Sequence, residues 1–243
     1  MKTLFIFVST FKYFLKSYKK NASITKLKQA WALDILKRFN FEIKINNQPS
    51  SQSRRILVGN HVSYLDIIVL LAICPEAVFL SKQEVARWPI IGAAAKRIGT
   101  IFVSRDNRHA RSEARQKIKN LFDNRANEIH LAGFPSGTTC LTESKPWKKG
   151  LFEIAQQSDV LVQPFSVDYF PWRECAYVDQ DNLFLSLIRL FKTPNKKVVF
   201  SWGEAFYVTE NIEQEIKSTQ DWSRTRFNFT NKKSHNPMQI MAF

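Results

Sequence analysis

The sequence is poor in cysteine, and it contains no long hydrophobic run. Its three cysteines, Cys74, Cys140 and Cys175, form no CxxC pair and leave an odd count. This pattern argues against a disulfide framework and a zinc module, and it favours a reducing compartment. A membrane-spanning helix needs about 20 consecutive apolar residues, and the sequence has no such stretch. We therefore predict no transmembrane segment.

The motifs of several cofactor-dependent and hydrolytic enzymes are also missing. The chain has no GxxxxGK[ST], no GxGxxG after a strand, no HExxH and no Cys/His ligand cluster. Neither a nucleotide cofactor nor a bound metal is predicted. The GxSxG elbow of serine hydrolases is absent too, because Gly133 lies three positions before Ser136 and Gly137 follows it immediately. We expect no cofactor, no metal and no serine nucleophile.

Positive charge is in excess. The 243 residues include 36 Lys and Arg against 21 Asp and Glu, a net charge of +15. Such a surplus suits an anionic partner, which could be nucleic acid, a membrane surface or an acidic substrate. With 44% hydrophobic residues and 20 Phe, the chain can bury a sizeable core, and its length fits one main domain.

The N-terminus is the most basic part of the chain. Residues 1–50 hold ten Lys or Arg against two acidic residues, a net charge of +8. The apolar run Leu4–Leu15 is 12 residues long, too short to span a bilayer, and no small-residue cleavage site follows it. We predict an interfacial helix with Phe and Leu in the headgroup layer and Lys against anionic lipid. An ordinary helix packed on the body is the alternative.

From Arg55 onward, short apolar runs alternate with helical stretches. Strands are predicted at Arg55–Gly59, Ala77–Leu80, Thr100–Ser104, Ile129–Phe134, Val160–Val167 and Lys197–Trp202. Helices are predicted near residues 27–39, 64–73, 83–98, 108–123, 148–158 and 209–228. The alternation predicts an α/β fold with a mixed, largely parallel sheet flanked by helices. The predicted organisation is a basic amphipathic membrane-binding helical segment at 1–45, ending in a short strand over 41–45, an α/β domain at 46–228 and a loose tail at 229–243.

One candidate catalytic pair follows the first strand of that domain. His61 comes after Asn60 at the end of Arg55–Gly59, and Asp66 lies in the first turn of the next predicted helix. Loops at strand ends are where α/β folds place their sites. A carboxylate there can fold back onto an imidazole and stabilise it when His61 takes a proton from a hydroxyl. A histidine that caps the helix or is satisfied in the core is the alternative.

The His-x4-Asp pair is the first of four blocks that resemble those of the glycerolipid (lysophospholipid) acyltransferases. The blocks are in that family's order and span about residues 55–206. They are Asn60-His61-x4-Asp66, Gly99-Thr-Ile-Phe-Val-Ser-Arg105, Phe134-Pro-Ser-Gly-Thr138 and Val162-Gln-Pro164. Four ordered blocks are far more specific than any one of them.

The resemblance implies an activity and a role for each block. It implies that an acceptor hydroxyl attacks an acyl thioester directly, without an acyl-enzyme, with His61 as the base and Asp66 as its orienter. Arg105 is implied to hold a phosphate of the acceptor. Val162-Gln-Pro164 resembles a strand that ends at a proline beside the acyl site. The residues expected to bind substrate are Asn60, Arg105, Ser136, Gly137 and Thr138.

Two positions of the third block depart from the family's pattern. The family usually has Glu where Ser136 stands, and often Arg where Thr139 stands. Loss of the Glu removes a charge that helps to organise the loop, so a lipid-binding protein without turnover is one alternative. Loss of the Arg weakens the argument for a simple phosphate headgroup.

The predicted function is a membrane-associated O-acyltransferase that moves a fatty acyl group from acyl-CoA or acyl carrier protein to a lysolipid hydroxyl. Lysophosphatidate (1-acylglycerol-3-phosphate) is the default acceptor, and a lyso-ornithine lipid is the close variant. The expected location is the cytoplasmic face of the inner membrane, where the protein binds anionic lipid peripherally or monotopically. A basic module that binds nucleic acid would explain the charge but not the four blocks. No RRM, KH or helix-turn-helix signature is present, so we expect no nucleic-acid partner.

Overall fold

The computed structural model describes residues 5–52, 54–104, 108–123, 129–178 and 181–226. Helices cover both faces of a seven-stranded sheet. The strands are β1 (Phe41–Asn46), β2 (Arg55–Gly59), β3 (Ala77–Lys82), β4 (Ile101–Val103), β5 (His130–Gly133), β6 (Leu161–Phe170) and β7 (Lys196–Trp202). The helices are α1 (Phe5–Lys16), α2 (Ile24–Arg38), α3 (Leu65–Ile73), α4 (Ile91–Arg97), α5 (Arg108–Asp123), α6 (Gly150–Gln157), α7 (Trp172–Cys175), α8 (Leu183–Lys192) and α9 (Ile212–Arg226).

The strand order is β1-β7-β6-β2-β5-β3-β4. Strand β6 pairs antiparallel with β7, and every other pair of neighbours is parallel. Strands β1 and β7 therefore run opposite to the other five. At the centre, Leu57 of β2 is opposite Ala132 of β5 on one side and Gln163 of β6 on the other. This topology confirms the predicted mixed, largely parallel sheet flanked by helices.

Alternate side chains of β2 enter two separate hydrophobic clusters, one on each face of the sheet. Leu57 joins the cluster that α2, α3 and α8 cover, while Ile56 and Val58 join the cluster covered by α5, α6 and α9. All three side chains are fully buried. Burial on both faces explains why β2 is continuously apolar after Arg55, as is typical of a central parallel strand. The strand that precedes His61 is therefore held rigidly from both sides.

The carboxyl ends of β2 and β5 lie side by side, because the two strands are parallel neighbours. Two loops begin at this edge of the sheet: residues 60–64, which lead into α3, and residues 134–149, which we call the β5–α6 loop. The first and third sequence blocks occupy these loops. The topology thus brings together two motifs whose first residues, Asn60 and Phe134, are 74 positions apart in sequence.

The structure corrects one predicted helix and adds two that were not predicted. The predicted helix at 83–98 is a 3-10 helix, Gln83–Arg87, followed by α4, because Pro89 interrupts the helical backbone and Ile90 takes a positive φ of 63°. Helices α7 and α8 were not predicted from the sequence. Helix α8 had a usable signal, since Asn182 precedes an apolar stretch and its side chain caps the helix by accepting from the N–H groups of Phe184 and Leu185.

Helices α1 and α2 precede the sheet. Helix α2 begins after Ser23, whose hydroxyl accepts from the N–H of Lys26. The strand after it, β1, pairs with β7 as an edge strand of the same sheet. Among the residues described, no helix combines the length and the apolar character that crossing a bilayer requires.

Candidate active site

His61 and Asp66 are in direct contact at the carboxyl end of β2. Nδ1 of His61 lies 2.7 Å from Oδ2 of Asp66. The Asp66 side chain is fully buried, whereas 17% of the His61 side chain is exposed. The imidazole therefore has access to the surface while its carboxylate partner is shielded from water. This is the pairing that the sequence predicts.

Asp66 accepts hydrogen bonds at both of its carboxylate oxygens. The backbone N–H groups of Val62 and Ser63 donate to Oδ2 at 2.7 and 3.0 Å, and the Tyr169 hydroxyl donates to Oδ1 at 2.7 Å. These three groups are N–H or O–H donors, so both carboxylate oxygens act as acceptors. Because a carboxylate only accepts, His61 donates its Nδ1–H to it, and Nε2 of the neutral ring keeps its lone pair.

Tyr169 lies on β6, one strand from His61, and is fully buried. Burial and the neighbouring negative charge of Asp66 hold the pKa of Tyr169 well above its ordinary value. The phenol thus remains a donor over the physiological range. Sequence analysis missed this residue, because Tyr169 belongs to none of the four blocks and lies two positions beyond the predicted strand Val160–Val167.

Aromatic packing fixes the plane of the imidazole. The ring of Phe134, from the β5–α6 loop, stacks on His61 with centroids 4.0 Å apart and planes 11° apart. Phe134 in turn meets Phe165 edge to face at 5.9 Å. A Cβ on Gly59 would lie 2.3 Å from the Phe165 ring, so this glycine is needed for Phe165 to approach β2. The ring stack connects the first block to the third.

The third block forms a tight turn beside His61. The N–H of Gly137 donates to the carbonyl of Phe134 at 2.9 Å, and Gly137 has a positive φ of 76° that suits glycine. Ser136 is buried, and its hydroxyl donates to the carbonyl of Thr138 at 2.9 Å. Thr138 is half-buried. The predicted loop residues are thus near His61, and Ser136 makes its contact within the loop.

A second part of the β5–α6 loop holds the backbone of His61. The N–H of Cys140 donates to the His61 carbonyl at 2.7 Å, and the His61 N–H donates to Oε1 of Glu143 at 3.1 Å. Oε2 of Glu143 accepts from Nε1 of Trp147 at 2.6 Å. Glu143 is fully buried. Neither Glu143 nor Trp147 was predicted as a site residue, because only the folded loop brings them to His61.

Asn60 faces the sheet. Its side chain is fully buried, its Nδ2 donates to the carbonyl of Val167, and its Oδ1 accepts from the N–H of Val167, both at 2.8 Å. This paired contact joins β2 to β6 immediately before His61.

The two remaining predicted features are Arg105 and the fourth block. Arg105, predicted to hold a phosphate, lies outside the described residues. The fourth block is within β6 and is buried. The strand predicted at Val160–Val167 is present as β6 but continues to Phe170 and pairs with β7 from Phe165 onward, so it does not end at Pro164 as the resemblance implied. The extension is what carries Tyr169 to Asp66.

One group of described side chains is compact enough to hold a metal ion. The ligand atoms of Cys74, Glu76 and His130 lie within 4.8 Å of one another, at the amino ends of the strands and so opposite His61. Nη2 of Arg55 lies 3.1 Å from Nε2 of His130. Burial and then the Arg55 charge lower the pKa of His130 to about 4. This arrangement suits a neutral imidazole that accepts from Arg55 better than it suits a divalent cation.

Comparisons with known proteins agree with the four sequence blocks. The family profile described as Acyltransferase matches residues 40–168. A lyso-ornithine lipid O-acyltransferase from Pseudomonas aeruginosa is 30% identical over 187 residues, which cover 73% of this chain and 70% of the relative. A 1-acyl-sn-glycerol-3-phosphate acyltransferase from Neisseria gonorrhoeae is 27% identical over 123 residues, which cover 50% of this chain and 47% of that protein.

The fold also has a counterpart among solved structures. The crystal structure of the 1-acyl-sn-glycerophosphate acyltransferase PlsC from Thermotoga maritima matches with a TM-score of 0.63 and 19% identity, over 97% of this chain and 99% of that one. At this identity the match concerns the fold. With the family profile covering more than half of the sequence and the P. aeruginosa relative aligned over most of both chains, the protein belongs to the Acyltransferase family.

Proposed function

We propose that this acyltransferase moves a fatty acyl group from a thioester, acyl-CoA or acyl carrier protein, to the hydroxyl of a lysolipid, with His61 as the general base. The observation that carries the proposal is the 2.7 Å contact between Nδ1 of His61 and the buried carboxylate of Asp66. It leaves Nε2 as the basic nitrogen of a partly exposed ring.

The reaction then follows in two proton transfers. Nε2 of His61 takes the proton of the lysolipid hydroxyl as its oxygen attacks the thioester carbonyl and forms a tetrahedral oxyanion. Asp66 stabilises the imidazolium that results. Collapse of the intermediate forms the ester, breaks the carbon–sulfur bond and returns the proton from Nε2 to the departing thiolate. No acyl-enzyme is needed.

The turn at Phe134–Gly137 supports this chemistry. Gly137 uses its N–H within the turn, so we assign it a role in shaping the loop. Thr138, half-buried on the same turn, is our candidate donor to the oxyanion, since it offers both a hydroxyl and an N–H. For Asn60, whose amide is used by Val167, we propose a structural role beside His61 in place of the predicted substrate contact.

For the acceptor, we favour a lyso-ornithine lipid over lysophosphatidate. The P. aeruginosa relative named for lyso-ornithine lipid aligns over 187 residues, whereas the N. gonorrhoeae relative named for 1-acyl-sn-glycerol-3-phosphate aligns over 123. Thr139 is neutral and half-buried on the loop beside His61, where an arginine would favour a phosphate. Arg105 remains available, by sequence, for an anionic group of the acceptor.

Helix α1 has apolar residues on its outward face as well as on the face that packs on the body. Ile6 is buried in the core together with Ser9 and Thr10. Val8, Phe11 and Leu15 are about half-exposed and form an outward stripe at positions i, i+3 and i+7. Ser9 donates to Oδ2 of Asp34 on α2. An apolar stripe facing outward suits insertion into a lipid headgroup layer.

Basic residues flank this stripe. The turn between α1 and α2 contains a shallow cavity of about 420 Å³, lined by Lys16, Lys19, Lys20, Asn21, Ala22, Ser23, Lys26 and Leu27. Four ammonium groups around one cavity suit anionic phosphate headgroups. We propose that α1 and this turn bind the anionic cytoplasmic leaflet of the inner membrane, and so bring the site to its lipid substrate.

The direct test is an assay of the purified protein with acyl-CoA and with acyl carrier protein as donors, against lyso-ornithine lipid and lysophosphatidate. We expect acyl transfer that depends on the lysolipid and is higher with lyso-ornithine lipid. Lipid that co-purifies without any turnover would instead support a lipid-binding protein that has lost the activity.

A further inference from the structure

We infer that Glu143 is a positioning residue for His61, because its buried carboxylate accepts from the backbone N–H of His61. The inference rests on the proposed role of His61 as the base. It concerns how the loop fixes the histidine backbone, which the sequence blocks do not reveal.

The β5–α6 loop holds the peptide groups on both sides of the His61 Cα. The carbonyl of His61 accepts from the N–H of Cys140, and its N–H donates to Oε1 of Glu143. The imidazole is fixed independently, by Asp66 at Nδ1 and by stacking against Phe134. With the backbone and the ring both held, the remaining freedom of Nε2 is small. Loss of the Glu143 contact would free the backbone N–H of His61, while Asp66 and Phe134 would still hold the imidazole.

Both oxygens of the Glu143 carboxylate accept hydrogen bonds. It is fully buried, and each oxygen faces a separate N–H donor, from His61 at 3.1 Å and from Trp147 at 2.6 Å. Burial raises the pKa of Glu143, and the hydrogen bonds from Trp147 and His61 oppose that rise. An ionised carboxylate satisfies both donors at once. A carboxamide has only one acceptor oxygen, so its NH₂ group would face the N–H of either His61 or Trp147.

The backbone of Glu143 is anchored to the last described helix. Its carbonyl accepts from Nε2 of Gln220 at 3.0 Å and from Nε and Nη2 of Arg224 at 3.0 and 2.7 Å, all on α9. Glu143 has a positive φ of 49°, which costs energy for a residue other than glycine. The contacts from α9 hold the residue in that conformation. Helix α9 is therefore connected to His61 through Glu143.

The test uses Glu143→Gln, Trp147→Phe and the double variant, with Glu153→Gln as the matched control. Glu153 is a carboxylate on α6 that pairs with Arg115 and Lys149 at the surface. In Glu143→Gln, a carboxamide that accepts from His61 turns its NH₂ toward the Trp147 N–H. Removing that N–H with Trp147→Phe relieves the clash, so the double variant should recover part of the loss.

We expect Glu143→Gln to lower kcat about 10- to 100-fold with KM for both substrates nearly unchanged, because a misplaced base affects chemistry more than binding. The double variant should be several-fold faster than Glu143→Gln, and Glu153→Gln should match wild type. Glu143→Asp, which is one methylene shorter, should lose kcat in the same way and serves if Glu143→Gln does not fold. A kcat of the folded Glu143 variants within about two-fold of wild type would overturn the inference, as would a loss confined to KM or a double variant no faster than Glu143→Gln.

Hydrogen exchange separates this inference from the proposed function. The His61 amide should exchange faster in Glu143→Gln than in wild type and Glu153→Gln, and the double variant should regain protection. Unchanged exchange would overturn the inference, whatever the activity. If wild type turns over and His61→Ala retains its rate, the proposed base is wrong even when the exchange result holds. If His61→Ala is inactive while Glu143→Gln is fully active, only the positioning role fails.

Discussion

The hydroxyl of Tyr169 donates to Oδ1 of Asp66 over 2.7 Å, on the carboxylate oxygen opposite to the one that His61 contacts. Tyr169, Asp66 and His61 thus form a continuous chain from the buried sheet to the partly exposed ring. The backbone N–H groups of Val62 and Ser63 complete the shell around Asp66. The carboxylate is therefore positioned by Tyr169 of β6 and by the loop between β2 and α3.

Tyr169→Phe should weaken both the site and the fold. A hydrogen bond to a charged group contributes about 1.5–3 kcal/mol, so we expect a fall of that order in the free energy of unfolding. We expect kcat/KM to fall by several-fold only, because Val62 and Ser63 still hold Asp66. Urea unfolding and steady-state kinetics measure the two effects. Tyr207→Phe, at an exposed tyrosine, is the control, and a Tyr169→Phe protein that behaves like it would contradict this role.

The sequence located the site residues that lie in its motif blocks, but not the contacts that join distant parts of the chain. His61, Asp66 and the turn at Phe134–Thr138 could be located because each follows or precedes an apolar run and matches a block. Tyr169 and Glu143 could not, since Tyr169 reaches Asp66 through the pairing of β2 with β6 and Glu143 reaches His61 through the path of the β5–α6 loop. Trp147 contacts Glu143 within the same loop and was missed for the same reason. Local patterns do not report such long-range contacts.

The same distinction holds for the fold. The central strands were predicted closely because continuous burial gives them continuous apolar sequence, as in β2. The helix predicted at 83–98 was wrong because its apolar pattern continues across Pro89, where the backbone cannot remain helical. The antiparallel placement of β7 depends on pairing with β6, which no local run of residues encodes.

Removing the outward stripe of α1 should weaken membrane binding. Replacing Val8, Phe11 and Leu15 by Ser removes three half-exposed apolar side chains, and burial of one such side chain contributes about 1.5–3 kcal/mol. We expect at least a ten-fold fall in partitioning into phosphatidylglycerol vesicles, measured by co-sedimentation. Wild type should bind these vesicles more tightly than phosphatidylcholine vesicles and less tightly at high salt. Ile45→Ser, at an exposed position of β1, should bind as wild type does; equal binding by the triple variant would contradict the proposal.

Thr139→Arg should shift the acceptor preference toward lysophosphatidate. Thr139 is half-buried on the β5–α6 loop beside His61, and a guanidinium there can pair with a phosphate. We expect the ratio of kcat/KM for lysophosphatidate over lyso-ornithine lipid to rise about ten-fold, the equivalent of about 1.4 kcal/mol. Thr142→Arg adds the same charge at an exposed position of the loop and is the control. If the ratio changes equally in both variants, the added positive charge acts regardless of its position, and the proposed role of position 139 is contradicted.

His130 should make the fold sensitive to acid. Its pKa is lowered from 6.5 to about 4, chiefly by burial and then by Arg55. The unfolded chain therefore binds a proton between those values while the native state does not, so stability falls as pH drops through that window. We expect a loss of about 2 kcal/mol in the free energy of unfolding between pH 7 and pH 5. In His130→Gln, which keeps an acceptor for Arg55, this part of the pH dependence should disappear; an unchanged pH dependence would contradict the assignment.

The most direct test of the whole account is the rate of lysolipid-dependent thiol release from acyl-CoA by His61→Ala. A positioned general base contributes about 10²–10⁴-fold, so the account predicts a fall of that size in kcat. Because His61 is partly exposed and lies in a loop at the strand end, circular dichroism and urea unfolding should show an intact fold. A folded His61→Ala protein whose kcat stays within a few-fold of wild type would contradict the proposed mechanism.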